Sequence, residues 1–211
     1  HFTDRRQRQM CIRDSILYKV SFPAEFHAQT AAEAAISLSS EVKGKIHDIK
    51  EIKIFTQEPG VRIISKKGPL NNFADRDHCI EYIVAWCLLN GNLNSNSYSD
   101  SSASDENIDK LRKLTNTLED QAYTRSYYDL DERAIPNKVV VSMITGEVYE
   151  KEVIYPLGHK ERRAESLPFL KEKFEKSIEK ADIRVDELMK FYDEKNLDSI
   201  NIYDLLNCIY K

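Results

Sequence analysis

The stretch Phe22-Pro23-Ala24-Glu25-Phe26-His27-Ala28-Gln29-Thr30-Ala31-Ala32-Glu33-Ala34-Ala35 limits what this chain can fold into more than any other. Four alanines around Glu33 make a helix whose small side chains let a neighbouring element press close. A helix is expected over residues 29–42, with Thr30 as N-cap, Glu33 completing a capping box and Gly44 closing it. Ahead of it Glu25, His27 and Gln29 alternate along the chain. In an extended segment alternate side chains share one side, so a carboxylate, an imidazole and an amide would converge on a rigid support.

Residues 49–56 set Ile52 and Ile54 on one face and Glu51, Lys53 and Phe55 on the other, the pattern of a strand. Pro59-Gly60 reads as a turn into a second apolar run at 61–64. A polar loop, 66–73, precedes a helix over 78–90 that Asp75 or Asp77 would cap and Gly91 would end. Apolar residues surround that helix, which should therefore be buried and central. The serine-rich segment 95–105 lacks a large aliphatic side chain and reads as a mobile surface loop, and 107–114 as a short amphipathic helix. A hairpin of 138–144 and 147–155 turns at Thr145-Gly146. Pro168 suits the first turn of a helix reaching about 180, and helical patterns occupy 185–194 and 202–210. The order of elements implies an α+β layer and then a helical tail, without internal repeats.

The head of the chain stands apart. Residues 1–15, with Gln9-Met10-Cys11-Ile12-Arg13-Asp14-Ser15 at their end, read like a translated DNA-library adapter and are expected to be a non-native leader; a natural basic arm or targeting peptide is the other reading. Without that leader the 31 basic and 35 acidic residues become 27 and 33, a net charge of −6, which disfavours nucleic acid as a partner. Cys79, Cys87 and Cys208 remain, an odd and scattered set that suits reduced thiols in the cytosol. The longest apolar run, 80–89, contains Glu81 and is too short for the ~18–20 residues of a bilayer span.

Four blocks in fixed order carry a family resemblance: 22–35, Lys67-Gly68-Pro69-Leu70-Asn71-Asn72, Ala74-Asp75-Arg76-Asp77-His78-Cys79-Ile80 and Tyr155-Pro156-Leu157-Gly158-His159-Lys160. Over residues 16–211 the chain resembles the C-terminal part of the MmgE/PrpD family. The resemblance implies an α+β lid domain at 16–167 and a helical segment at 168–211 that would pack on an all-α N-terminal domain. The chain is accordingly expected to be a fragment, inactive by itself, of a protein that is commonly a homodimer. The implied activity is dehydration of 2-methylcitrate to 2-methyl-cis-aconitate without a cofactor. Citrate dehydration or cis-aconitate decarboxylation is the sibling chemistry, and a non-catalytic interaction module is the reading from outside enzymology.

Dehydrating a β-hydroxy tricarboxylate needs a base for the carbon-bound proton, an acid for the departing hydroxyl and donors or cations for the carboxylates. The resemblance makes Glu25, His27 and His78 the catalytic candidates, and Gln29, Lys66, Lys67, Arg76, His159 and Lys160 the substrate-binding ones. Read from the residues alone, each has a plainer alternative. Glu25, His27 and Gln29 suit structural capping or surface solvation, and Lys66 and Lys67 a solvated turn; Arg76 and His78 lie at a helix start, where anions are favoured by ~0.3–1 kcal/mol, with a core or capping histidine as the alternative. The mixed charges around His159 and Lys160 suit a solvated connection, and His47 sits in a polar linker as an idle residue. Cys79 and Cys87 are eight apart and Cys208 lies 121 further on, so no clustered set of metal or iron–sulfur ligands is expected.

Overall fold

The computed structural model describes residues 19–178 and 201–209. The chain divides into two compact units, one ending at Arg163 and the other starting at Ala164. Strands β1 (Ile49–Thr56), β2 (Thr115–Glu119), β3 (Asn137–Met143) and β4 (Val148–Val153) form one sheet in the order β2-β1-β3-β4. β1 runs parallel to β2 and antiparallel to β3, and β3 and β4 form the expected hairpin. Ile52 faces Val141 and Ile54 faces Val139, so the four side chains lie on one face and all are fully buried. Each contributes roughly 1.5–3 kcal/mol by leaving water.

That face is covered by helices. α1 (Gln29–Val42) lies on β3 and β4, and Ala31, Ala32, Ala34 and Ala35 have no exposed surface. Further along are α2 (Glu58–Ile64), α3 (Phe73–Asp77) and α4 (Ile80–Asn90). α4 also packs on α1, whose buried alanines suit a close approach. α4 buries Ile80, Ile83, Val84, Ala85, Cys87 and Leu88, and ends at Gly91 with φ 68°, a left-handed conformation that suits glycine. After a short helix, α5 (Asp100–Ala103), comes α6 (Glu106–Leu114), which packs against α4 and β1.

Several expectations change. Thr30 is not an N-cap: a 3-10 turn at Phe26–Ala28 precedes α1, and the Thr30 hydroxyl lies inside the helix, donating to the Ile135 carbonyl at 2.6 Å. The same turn replaces the extended segment that was to align residues 25, 27 and 29. Residues 61–64 continue α2, because Pro59 and Gly60 sit in its first turn instead of breaking the chain. The helix expected from 78 begins at Ile80, and a separate α3, capped by Asn72 Oδ1 on the Asp75 N–H at 2.9 Å, takes up the residues before it.

The serine-rich segment is ordered. Asn94 and Ser97 cap each other around a 3-10 turn at Ser95–Tyr98, and the fully buried Tyr98 ring packs between Tyr82 and Phe73 at 6.1 and 5.0 Å. β2 and a surface helix α7 (Gln121–Tyr128) were not foreseen. α8 (Arg163–Ile178) starts before Pro168, which falls inside it, and α9 spans Ile202–Ile209. The leader at 1–15 and the helix expected at 185–194 lie outside the described residues.

Candidate active site

The N-terminal end of α4 gathers three stretches that are far apart in sequence. The Glu25 N–H donates to the Asp77 carbonyl at 3.1 Å, tying the turn before α1 to the end of α3. The Cys79 thiol donates to the Lys66 carbonyl at 3.5 Å, and Lys67 Nζ stands 3.8 Å from Glu81 Oε1. Turns carrying residues 25–27, 66–67 and 77–78 thus meet around one helix end.

Glu25 caps the 3-10 turn with both oxygens. Oε2 accepts the His27 N–H at 2.7 Å and Oε1 holds His27 Nδ1 at 2.8 Å, with both side chains about seven-eighths buried. Burial alone would raise the Glu25 carboxyl, but the His27 ring and the N–H groups of His27 and Phe26 outweigh it, and the net shift is downward. An ionised Glu25 only accepts hydrogen bonds, so Nδ1 carries the proton of this contact. On the far side of the ring, Nε2 lies 3.2 Å from the Tyr127 hydroxyl of α7. Asn137 of β3 completes the frame by donating to the His27 carbonyl at 2.8 Å.

A second carboxylate–imidazole pair stands beside the first. His78 Nδ1 is 2.5 Å from Asp77 Oδ1, and the His78 side chain is 47% exposed, which leaves its other nitrogen to the solvent side. Tyr82, expected to share a face with His78, is buried instead and donates to the Ser97 carbonyl at 2.7 Å; burial pushes its phenol up to about 12.

The cationic side is organised by a residue that sequence reasoning passed over. Glu81, fully buried in the first turn of α4, accepts from the Ser65 hydroxyl at 2.6 Å, the Thr117 hydroxyl at 2.8 Å and the Lys66 N–H at 3.1 Å. Lys67 Nζ also donates to the Thr115 carbonyl, and Lys66 Nζ lies 3.8 Å from Asp75. An acidic residue inside an apolar helical run was the available signal for Glu81. Tyr127 gave none, because nothing around 121–128 sets it apart from a loop.

The other candidates are engaged elsewhere. Gln29 spends its amide on the Phe22 and Ala24 carbonyls at 2.9 and 3.0 Å. Arg76 is buried and donates to the Tyr98 carbonyl while pairing with Asp100, both at 2.7 Å. His159 is buried, stacked on Tyr155 at 4.5 Å, with Nε2 on the Glu132 carbonyl at 3.1 Å and Nδ1 capping the Glu161 N–H at 3.2 Å; burial lowers it. Lys160 reaches the Asp131 carbonyl. His47 lines a shallow groove of about 360 Å³ with Ile46, Ile49, Lys110, Leu111 and Leu114, to which none of the candidate residues contributes. Among the described residues no group of three or more His, Cys, Asp or Glu side chains could hold a metal ion. None of the described helices is long and apolar enough to cross a membrane.

The α+β domain thus places two carboxylate–imidazole pairs and two lysines around one helix end. The profile of the MmgE/PrpD C-terminal domain matches residues 22–190, and the chain belongs to that family. It is 48% identical over 171 residues to a protein of Yarrowia lipolytica named 2-methylcitrate dehydratase, mitochondrial, covering 79% of this chain and 33% of the relative. It is 42% identical over 209 residues to a probable 2-methylcitrate dehydratase of Saccharomyces cerevisiae, covering 95% and 40%. The 2-methylcitrate dehydratase of Escherichia coli is 47% identical over 167 residues, covering 77% and 35%. The chain therefore spans between a third and two fifths of the length of these relatives.

Proposed function

We propose that this chain supplies part of the active site of a hydro-lyase that converts 2-methylcitrate to 2-methyl-cis-aconitate by side-chain acid/base catalysis. The observation that carries the reading is the pair of carboxylate–imidazole units joined by the Glu25 N–H and the Asp77 carbonyl. Each carboxylate holds its imidazole by Nδ1; His78 keeps its Nε2 for the substrate, and His27 Nε2 is joined to the Tyr127 hydroxyl, so both rings are placed to take or give a proton. One imidazole removes the carbon-bound proton; the other protonates the departing hydroxyl, and water leaves. Lys66 and Lys67 attract the substrate carboxylates, while Gln29, Arg76, His159 and Lys160 act by holding the surrounding loops. The names of the relatives support the substrate class.

The remaining length of the relatives supplies the other wall of the site, so the 211-residue chain by itself is expected to be inactive. A homodimer of the complete protein, in a reducing compartment, belongs to the same proposal. Imaging the tagged complete protein separates the cytosol from the mitochondrion named for the Yarrowia relative.

The test compares turnover of 2-methylcitrate, citrate and cis-aconitate by the complete protein. Preference for 2-methylcitrate supports the reading. Faster loss of carbon dioxide from cis-aconitate overturns it in favour of the sibling chemistry, and turnover of none of the three overturns it altogether.

A further inference from the structure

The proposed acid/base pairs leave a difficulty at His27. Its Nδ1 is held by Glu25, and its Nε2, the nitrogen that has to exchange a proton with substrate, is already within hydrogen-bond distance of the Tyr127 hydroxyl at 3.2 Å. The imidazole is about seven-eighths buried, whereas Tyr127 is only half-buried. The phenol is thus the more exposed of the two groups.

We propose that Tyr127 is the proton relay between His27 and the substrate, an inference that rests on the dehydratase reading for its substrate. A phenol oxygen both donates and accepts, so it stays bonded to Nε2 in either charge state of the ring. In the forward step the Tyr127 O–H bond breaks as its proton passes to Nε2, while the phenol oxygen takes the carbon-bound proton of the substrate; the C–H electron pair forms the new double bond as the neighbouring C–O bond breaks, and the hydroxyl leaves as water with the proton of the His78 imidazolium. The phenol is regenerated, the ring becomes imidazolium, and ionised Glu25 holds its Nδ1–H throughout. No charge rests on Tyr127 at the end of the step.

The scaffold fits this role better than a packing role. α7 has no buried residue, and polar contacts hold it. Asp120 caps the Ala122 and Tyr123 N–H groups at 2.7 and 3.2 Å and donates its own N–H to the Thr56 carbonyl at 2.8 Å. The Thr124 hydroxyl accepts the Glu58 N–H at 2.9 Å, and Tyr128 donates to Glu58 Oε2 at 3.1 Å. Tyr127 packs edge-on against Tyr128 at 5.1 Å, which fixes the direction of its ring. A surface helix without apolar anchorage here delivers one phenol to one imidazole.

Two measurements test the relay. In this chain, nitrogen-15 shifts of the His27 ring should show Nδ1 protonated and Nε2 hydrogen-bonded; Tyr127→Phe should move Nε2 toward an unbonded acceptor and leave Nδ1 in place, and Glu25→Gln should do the converse. An Nε2 signal indifferent to Tyr127→Phe overturns the contact whatever the reaction is. In the complete protein, Tyr127→Phe should lower kcat roughly 10²-fold with little change in KM, and the solvent-isotope proton inventory should fall from two transferred protons to one. A Phe variant with wild-type kcat and an unchanged inventory overturns the relay while leaving the dehydratase reading intact. A complete wild-type protein that turns over none of the three acids removes the reaction, and the relay with it, even where the ring shifts follow the pattern above.

Discussion

Glu25 and Asp77 are fifty-two positions apart, yet the N–H of the first is bonded to the carbonyl of the second at 3.1 Å, and each side chain holds the Nδ1 of a neighbouring histidine. The bond sets the spacing of two imidazoles through backbone, which is stiffer than any side-chain bridge. A change at either carboxylate should therefore be felt at both rings.

In the complete protein, Glu25→Gln and Asp77→Asn are each expected to lower kcat by about 10²-fold, the range of a single acid/base group, with small effects on KM. Under the proposed reading the pairs share one step, so the double variant should lose less than the product of the two losses. Steady-state kinetics over the four combinations checks this, and multiplicative losses would mean that the pairs act separately.

Glu25 also makes a pH prediction. Burial raises its carboxyl, the His27 ring and two N–H groups lower it by more, and the folded value lies below the ordinary one. A depressed folded value gives stability that is fully present above the ordinary glutamate pKa of ~4.3 and is lost as pH falls through the lower folded value. Urea midpoints measured from pH 6 downward, with the pH points taken as roughly unit steps around that pKa, should fall less steeply for Glu25→Gln than for wild type.

How far the sequence could be read depended on whether the signal was local. α1 and β1 were legible because their alanine cluster and their alternation state which side is buried. Tyr98 was misjudged because a single ring, not an aliphatic run, pins the serine-rich segment against Tyr82 and Phe73. β2 follows α6 without a break, and α7 buries nothing, so neither gave a periodic pattern. At the site, Glu25, His27 and His78 stand out as polar residues in turns. That Gln29, Arg76 and His159 would turn to backbone carbonyls depended on partners such as Ala24, Tyr98 and Glu132, which spacing alone does not reveal.

Two glycines should respond differently to alanine. A Cβ at Gly60 would lie 2.5 Å from Thr56 Oγ1, whose side chain is fully buried and bonded to Gln57 Oε1 at 2.6 Å. Gly60→Ala should therefore destabilise despite a helix-propensity gain of up to ~1 kcal/mol, whereas at Gly68 a Cβ meets nothing within 4 Å and the change should be near neutral. Thermal melts of the two variants decide it.

Glu81 offers a further test, because three donors converge on its buried carboxylate. Glu81→Leu would leave the Ser65 and Thr117 hydroxyls and the Lys66 N–H without their acceptor, at an expected cost of roughly 3–5 kcal/mol. Glu81→Gln keeps one acceptor oxygen and should fall between Leu and wild type. Urea unfolding gives the order, and a Leu variant within about 1 kcal/mol of wild type would contradict the hub.

The parallel pairing of β2 with β1 has a consequence for how the molecule assembles. An antiparallel hairpin such as β3–β4 closes over a few residues, but β2 can dock only after α2 through α6 have been threaded between it and β1. Thr115 and Thr117 arrive with that strand, so the anchorage of Lys67 and Glu81 is expected to form late, whereas the Glu25–His27 contact joins neighbours in the chain. A partly unfolded molecule would keep its imidazole and lose its grip on the lysine, and hydrogen exchange along the β2 edge would report that loss before the rest of the sheet opened.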